Sequence, residues 1–273
     1  MQKLEKIIEE LRRRPGLVTT DEEIINVARE YLQTRILQFV YQSKFGASIS
    51  FLGGTCLRIC YALKRYSEDL DFALDGARGN YRFDELIGHI EKELKLSGFD
   101  ADSNAHSEKT VQKAFIRISG LYTKLNLGAP GSQKIHIKLE VDSKPVPILP
   151  EERESFFVTR YGEIFPILKH TLPTLFAGKI LAILHRPYSR GRDYYDLIWY
   201  MSRKTTINIR YLSANHPKQT FADEKDVYKA LQKKIAEVKP EIILKDIGRF
   251  LEDPSEISWI ERYQELFNQL CPK

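Results

Sequence analysis

FLGGTCLRICYALKRYSEDLDFAL (residues 51–74) places two glycines ahead of a short helical segment and two aspartates, two residues apart, on the segment that follows. Thr55–Leu63 reads as a helix, flanked by the strands SISFL (48–52) and DLDFAL (69–74). Gly53 and Gly54 therefore fall at a strand-to-helix turn. Glycine allows close backbone approach there, and the free N–H groups of a helix start favour an anion such as phosphate. No Gly-Lys-Ser/Thr follows, so this is not a Walker A loop; a plain tight turn is the simpler account of the glycines alone. On a strand, residues i and i+2 share a face. Asp69 and Asp71 would then stand side by side, an unfavourable arrangement unless a cation lies between them. A divalent ion meets that need, and Mg²⁺ takes a few carboxylates together with substrate phosphate oxygens. A solvated acidic pair at a strand edge is the plainer alternative. Leu70 and Phe72 point the other way, into a core.

A third carboxylate is expected from a neighbouring strand. KIHIKLEVD (134–142) alternates with period two: Ile135, Ile137, Leu139 and Val141 make a core face. Lys134, His136, Lys138, Glu140 and Asp142 make the other. Glu140 or Asp142 would complete a metal cluster, with Glu140 preferred because it is nearer the strand centre. An ordinary exposed strand face explains either one equally, and His136 reads as a surface residue.

The 273 residues suffice for one large domain or two ordinary ones, and 42% hydrophobic with 29% charged residues is a globular composition. No run approaches the roughly 20 apolar residues of a membrane span. The first residues, MQKLEKIIEELRRRPG, are charged and helix-patterned, unlike a signal peptide. Cys56, Cys60 and Cys271 form no disulfide framework, which points to a reducing, cytoplasmic setting. Net charge is +5, yet residues 160–220 hold ten Lys/Arg (160, 169, 179, 186, 190, 192, 203, 204, 210 and 218) against acids at 163, 193 and 196. A basic window in a nearly balanced chain suggests a polyanion such as nucleotide or nucleic acid; solvated surface charge is the alternative.

Helical spacing marks residues 2–13 and 21–43, the second with Asp21 as N-cap, and Phe83–Leu96. TVQKAFIRIS (110–119) alternates as a strand, and ESFFVTR (154–160) reads as one more. Strands then stop. Thr171–Leu184, Asp193–Ser202, Asp223–Val238, Pro240–Leu251 and Ser258–Leu270 read as helices. The pattern divides the chain near residues 165–171 into a mixed α/β half and a helical half.

LFAGKILAILHRPYSRGRDYYDLIWY (175–200) sets Lys179 on an otherwise apolar helix, either reaching for water or aimed at a ligand. Arg186, Arg190, Arg192, Asp193 and Asp196 follow. Asp193 reads as an N-cap and Asp196 as a first-turn acid. Cations facing a carboxylate–metal cluster would hold a triphosphate and stabilise charge on a transferring phosphorus. Tyr188, Tyr194, Tyr195, Trp199 and Tyr200 are interleaved with them and suit base stacking, although aromatic residues on an amphipathic helix serve a core equally well.

GGTCLR followed by RYSEDLDF resembles the first motif of nucleotidyltransferase toxins of the AbiEii/AbiGii type, which include the MenT toxins. KILAILHRPYSRGRDYYDL resembles their later motif, a Lys-x-x-Ala, an Arg, then Arg-Asp-x-x-Asp. Gly54-Thr55 stands where Gly-Ser is common and keeps a hydroxyl. The resemblance implies an α+β fold: a polymerase-β-like nucleotidyltransferase palm (mixed sheet with helices) over residues 1–165, then an α-helical C-terminal domain over 166–273 that completes the active site. It implies transfer of a nucleotide from a nucleoside triphosphate with Mg²⁺ or Mn²⁺. Gly53, Gly54, Thr55 and Ser67 would hold phosphates, Asp69 and Asp71 metal with Glu140, and Lys179 the triphosphate. Arg58 is a further phosphate contact or a salt-bridge residue. Arg186, Arg192 and Asp193 would join the nucleotide site, and Asp193 and Asp196 would orient the arginines or act directly. The acceptor implied is tRNA, at its 3′ end, or another RNA, and a cognate antitoxin encoded nearby is expected, in a setting of phage defence. The rivals are a small-molecule nucleotidyltransferase of the antibiotic-modifying sort, which needs an acidic pocket, and a non-catalytic nucleotide-binding module on the same fold.

Overall fold

A computed structural model of the chain describes residues 1–15, 18–76, 79–128, 130, 132–216 and 220–272. The first elements are α1 (Gln2–Arg12), α2 (Asp21–Gln42), β1 (Ile49–Leu52), α3 (Gly53–Tyr61), β2 (Asp69–Leu74) and α4 (Phe83–Leu96). Then come β3 (Asp100–His106), β4 (Val111–Ser119), the one-turn α5 (Leu121–Lys124), β5 (Ile135–Asp142), β6 (Arg153–Arg160) and β7 (Glu163–His170). The strands form one seven-stranded sheet of order β3-β4-β5-β2-β1-β7-β6. β4 runs antiparallel to both β3 and β5, β5 and β2 run parallel, and β2 and β1 antiparallel. Period-two burial decides which face meets the helices. Gln112, Ala114, Ile116 and Ile118 of β4 and Ile135, Ile137, Leu139 and Val141 of β5 are buried, and α2 and α4 pack against the sheet. The residues between them face outward.

Strands do not stop at residue 160. β7 follows β6 through Tyr161-Gly162, whose φ values of 52° and 68° are those of a tight hairpin turn. Tyr161 is held there by its hydroxyl, which donates to Glu30 at 2.9 Å. Two further differences are local. Thr20, not Asp21, caps α2, accepting from the Glu23 N–H at 3.1 Å. Helix α3 begins at Gly53, so both glycines lie inside its first turn rather than ahead of it.

The remaining elements are α6 (Leu172–His185), α7 (Gly191–Ser202), α8 (Ile209–Asn215), α9 (Glu224–Ala236), α10 (Pro240–Ile247), α11 (Ile257–Ile260) and α12 (Tyr263–Leu270). α7 is the hub: α6, α10 and α12 pack on it. Gly191 at its start lets the backbone of α10 approach so closely that a methyl group there would sit 2.9 Å from the Ile243 Cα. The chain makes two compact units. One comprises Met1–Ala62, Tyr66–Pro145 and Ser155–Lys169; the other comprises Leu63–Arg65, Val146–Glu154 and His170–Lys273. Among the described residues, no helix is long and apolar enough to cross a membrane.

Candidate active site

In the first unit the site is built where β1 turns into α3. Gly53 has φ +80°, a conformation that costs an L-residue its Cβ clearance. The reason is the neighbour: a Cβ on Gly53 would lie 2.9 Å from Cγ of Asp71 and closer still to Oδ2. The Asp71 carboxylate thus lies against the first turn of α3, at the positive end of its dipole. The β1–β2 register pairs Leu52 with Asp71 and brings this about. The buried Thr55 donates its hydroxyl to the backbone carbonyl of Asp69, fastening helix to strand. Its hydroxyl is therefore spent on the fold rather than turned to a ligand. Ser67, half-buried, has its carbonyl held by the Gln33 amide at 2.9 Å. Arg58 is the salt-bridge residue of its two alternatives: buried, it donates to Glu30 at 2.5 Å and lies over the Tyr66 ring at 4.6 Å.

Asp69 and Asp71 are half-buried on one face, with Leu70 and Phe72 buried behind them. The parallel register places Glu140 beside Asp71 and Asp142 beside Ala73. Asp142 accepts from the Lys144 N–H at 3.0 Å, at the strand end. Glu140 is gripped by Lys113 and Lys138, each at 2.9 Å. Burial pushes the Glu140 carboxyl up, but the two ammonium groups outweigh it and hold it below the usual range. Among the described residues, no three His, Cys, Asp or Glu converge as a ready-made metal cluster. Two adjacent carboxylates nonetheless suit Mg²⁺, which takes one or two such ligands and completes its shell with water and phosphate.

The second unit carries a separate charge cluster. Lys179 on α6 donates to Asp193 at 2.7 Å and lies 2.8 Å from Asp196, both on α7. Arg65 grips Asp196 with both ends of its guanidinium, at 2.6 Å each, and Arg186 pairs with Asp193. Asp196 is 0% and Arg65 2% exposed. Burial raises the Asp193 carboxyl, but Lys179 and Arg186 overcome it and leave it lowered. Asp193 is not an N-cap. α7 starts at Gly191, and its Arg192 N–H is taken by Asp246 of α10 at 3.2 Å. Arg192 itself stacks over Phe250 at 4.5 Å. Arg65 stands inside the RYSEDLDF motif but drew no assignment from the sequence, because its partner lies 131 residues away.

The basic window is largely committed to the fold. Arg160 donates to Glu30 and to the Arg58 carbonyl, Arg210 pairs with Glu152, and Lys169 is buried against Tyr61. Glu30 and Glu152 lie outside the window, so part of its positive charge is answered from elsewhere in the chain. Lys218 lies outside the described residues. Tyr194, Tyr195 and Tyr200 are core: they pack on Tyr263, Trp259 and Phe176 respectively. Of the five aromatic residues expected to stack bases, only Tyr188 is exposed, and Trp199 is half-buried under Arg203.

The fold is shared with solved structures of low sequence identity. A proposed nucleotidyltransferase from H. pylori superposes with a TM-score of 0.56 at 16% identity, covering 90% of this chain and 94% of that one. JHP933 from Helicobacter pylori gives 0.52 at 16% identity, covering 90% and 91%. MenT4, a nucleotidyltransferase toxin from Mycobacterium tuberculosis, gives 0.55 at 18% identity, covering 97% and 89%. No curated protein sequence matches this one. The family model described as nucleotidyl transferase AbiEii toxin, type IV toxin–antitoxin system, matches residues 4–272, and the chain belongs to that family of nucleotidyltransferase toxins.

Proposed function

We propose that the chain transfers a nucleoside monophosphate from a nucleoside triphosphate to the 3′ end of an RNA, tRNA being the favoured acceptor. The observation that carries this is the Asp71 carboxylate lying against the Gly53 turn, with Asp69 on the same strand face. An anion-binding helix start beside paired carboxylates is what a metal-bound polyphosphate requires. Asp69 and Asp71 would hold Mg²⁺ or Mn²⁺. When bound, that ion neutralises phosphate charge and polarises the phosphorus centre. The acceptor oxygen bonds to the α-phosphorus and the bond from that phosphorus to the α–β bridging oxygen breaks. Pyrophosphate leaves with the electron pair, and the hydroxyl proton passes to water. Little covalent work falls to the protein, so placement and charge dominate. Lys179, in the second unit, is the candidate cation for a phosphate group, held ready by its two aspartates. Asp193 and Asp196, buried and ion-paired, position Lys179 and Arg186 rather than exchange protons. Glu140 is shared between Lys113 and Lys138, and would reach the metal only by giving up those ion pairs. A toxin of this family is paired with an antitoxin, and co-expression of that partner should restore growth.

The test is incubation with each labelled nucleoside triphosphate, Mg²⁺ and total RNA. Covalent label should appear in RNA with the wild-type chain and vanish with Asp71→Asn, while melting stays cooperative. Undiminished labelling by Asp71→Asn overturns the metal assignment. Absence of label in RNA, with label in a small hydroxyl compound instead, overturns the acceptor.

A further inference from the structure

The outward face of β3, β4, β5 and β2 has an order that the motifs do not describe. Strand registers pair Asp69 with Lys138, Lys138 with Phe115 and Phe115 with Asn104. One straight line therefore crosses four strands and ends on a carboxylate of the candidate site. Neighbouring strands lie about 4.8 Å apart, so Phe115 stands roughly 10 Å from Asp69 along it. The parallel line beside it reads Asp71, Glu140, Lys113, His106. Along β4 itself, Lys113, Phe115 and Arg117 share the outward face, with Ala114 and Ile116 buried between them.

Phe115 is 39% exposed, an aromatic ring left in water where β4 could have carried a polar residue. It is ringed by cations: Lys113 and Arg117 on its own strand, Lys138 across from it. These are arranged with spare charge. Asp102 is shared by Arg117 and Lys134, and Glu140 by Lys113 and Lys138. Each carboxylate thus answers two cations; Asp69 adds its charge beside Lys113, so the surplus positive charge lies with Arg117 and Lys134. The other outward carboxylates of β3 and β5 sit at the corners: Asp142 turns to the Lys144 N–H, and Asp100 lies opposite Ser119. The exposed apolar area, one ring with the smaller Val111 beyond it, is slight for a protein interface. A ring amid phosphate-binding cations on an open sheet is instead the unit that stacks an unpaired base.

We propose that this face is the platform for the acceptor strand. A base near the 3′ end of single-stranded RNA stacks on Phe115, and Lys113, Arg117 and Lys138 take the adjoining phosphates. The line from Phe115 through Lys138 to Asp69 leads the terminal hydroxyl to the carboxylates. This rests on the transferase reading above and names the surface that receives its acceptor.

Fluorescence anisotropy with a short labelled single-stranded RNA tests it. Phe115→Leu keeps an apolar side chain and removes the π-face, and should weaken binding roughly 5- to 150-fold, the value of one base stacked on an aromatic ring. Phe115→Trp should bind like wild type. The double variant Lys113→Gln/Arg117→Gln should reduce the salt dependence, log K against log salt, by about 1.4, for two phosphate contacts on a single strand. Melting temperature and binding of labelled nucleoside triphosphate should be unchanged in Phe115→Leu. RNA affinity equal to wild type in Phe115→Leu, or an unchanged salt slope in the double variant, overturns the platform and leaves the transferase reading standing. A wild-type chain that neither binds nor labels RNA overturns the acceptor reading itself.

Discussion

Gly53→Ala isolates the contact on which the site depends. Alanine at φ +80° costs about 1–2 kcal/mol in backbone strain alone. Its methyl would meet the Asp71 Cγ at 2.9 Å, where carbon contacts settle at about 3.5–4.0 Å. The carboxylate must therefore withdraw by roughly 0.6–1.1 Å, because the helix start is fixed by the Thr55 hydrogen bond to Asp69. A displacement near an ångström at a reacting centre costs on the order of 10²-fold in rate. The expected result is nucleotidyl transfer reduced about 100-fold, with melting lowered by roughly 2–8 °C and still cooperative. Initial rates of label incorporation, with calorimetric melting on the same preparation, measure both. Gly178→Ala is the matched control: inside α6, with no atom within 4 Å of the added methyl, it should gain roughly 0.5–1 kcal/mol. Full activity in Gly53→Ala, or a melting temperature equal to wild type, would refute the placement of Asp71 against the helix start.

Arg65→Met strands the buried Asp196 with Lys179 alone, and urea denaturation should report a loss of about 3–5 kcal/mol. Thr55→Val removes the donor to the Asp69 carbonyl without changing size, and should cost about 1–3 kcal/mol by thermal melting, with transfer reduced as the strand loosens. The ion pairs of Asp193 lower its folded pKa, so it binds fewer protons folded than unfolded. Its stabilising contribution is complete at neutral pH, starts to fall as pH drops towards the unfolded value of about 3.9, and is gone only once pH passes below the lowered folded value. Denaturation curves in acid should therefore drop less steeply for Asp193→Asn than for wild type; equal slopes would contradict the pairing.

Elements with strong periodicity were legible. DLDFAL and Phe83–Leu96 are the strand and the helix their patterns describe, and the inward faces of β4 and β5 follow from alternation. β3 was not legible, because DADSNAH has neither alternation nor branched residues; pairing with β4 makes it a strand. β7 hid behind Pro166 and the buried Lys169. Residues 258–270, which read as one helix, break between α11 and α12 at Glu261-Arg262. In the site, the carboxylate pair was visible because strand parity is local. The ion pairs of Lys179 were not, since Asp193 is 14 residues away and Arg65 joins from another segment altogether.

The second unit is assembled from three stretches of chain, the shortest being Leu63–Arg65. A gene cut at the point where strands give way to helices would yield a C-terminal fragment holding Asp196 but lacking the guanidinium that neutralises it. Such a fragment keeps Lys179 beside Asp196 but loses the two-pronged grip of Arg65, and is less stable than the intact unit. The seam between strands and helices along the chain is therefore not a seam of the folded unit: a cut there divides a buried ion pair.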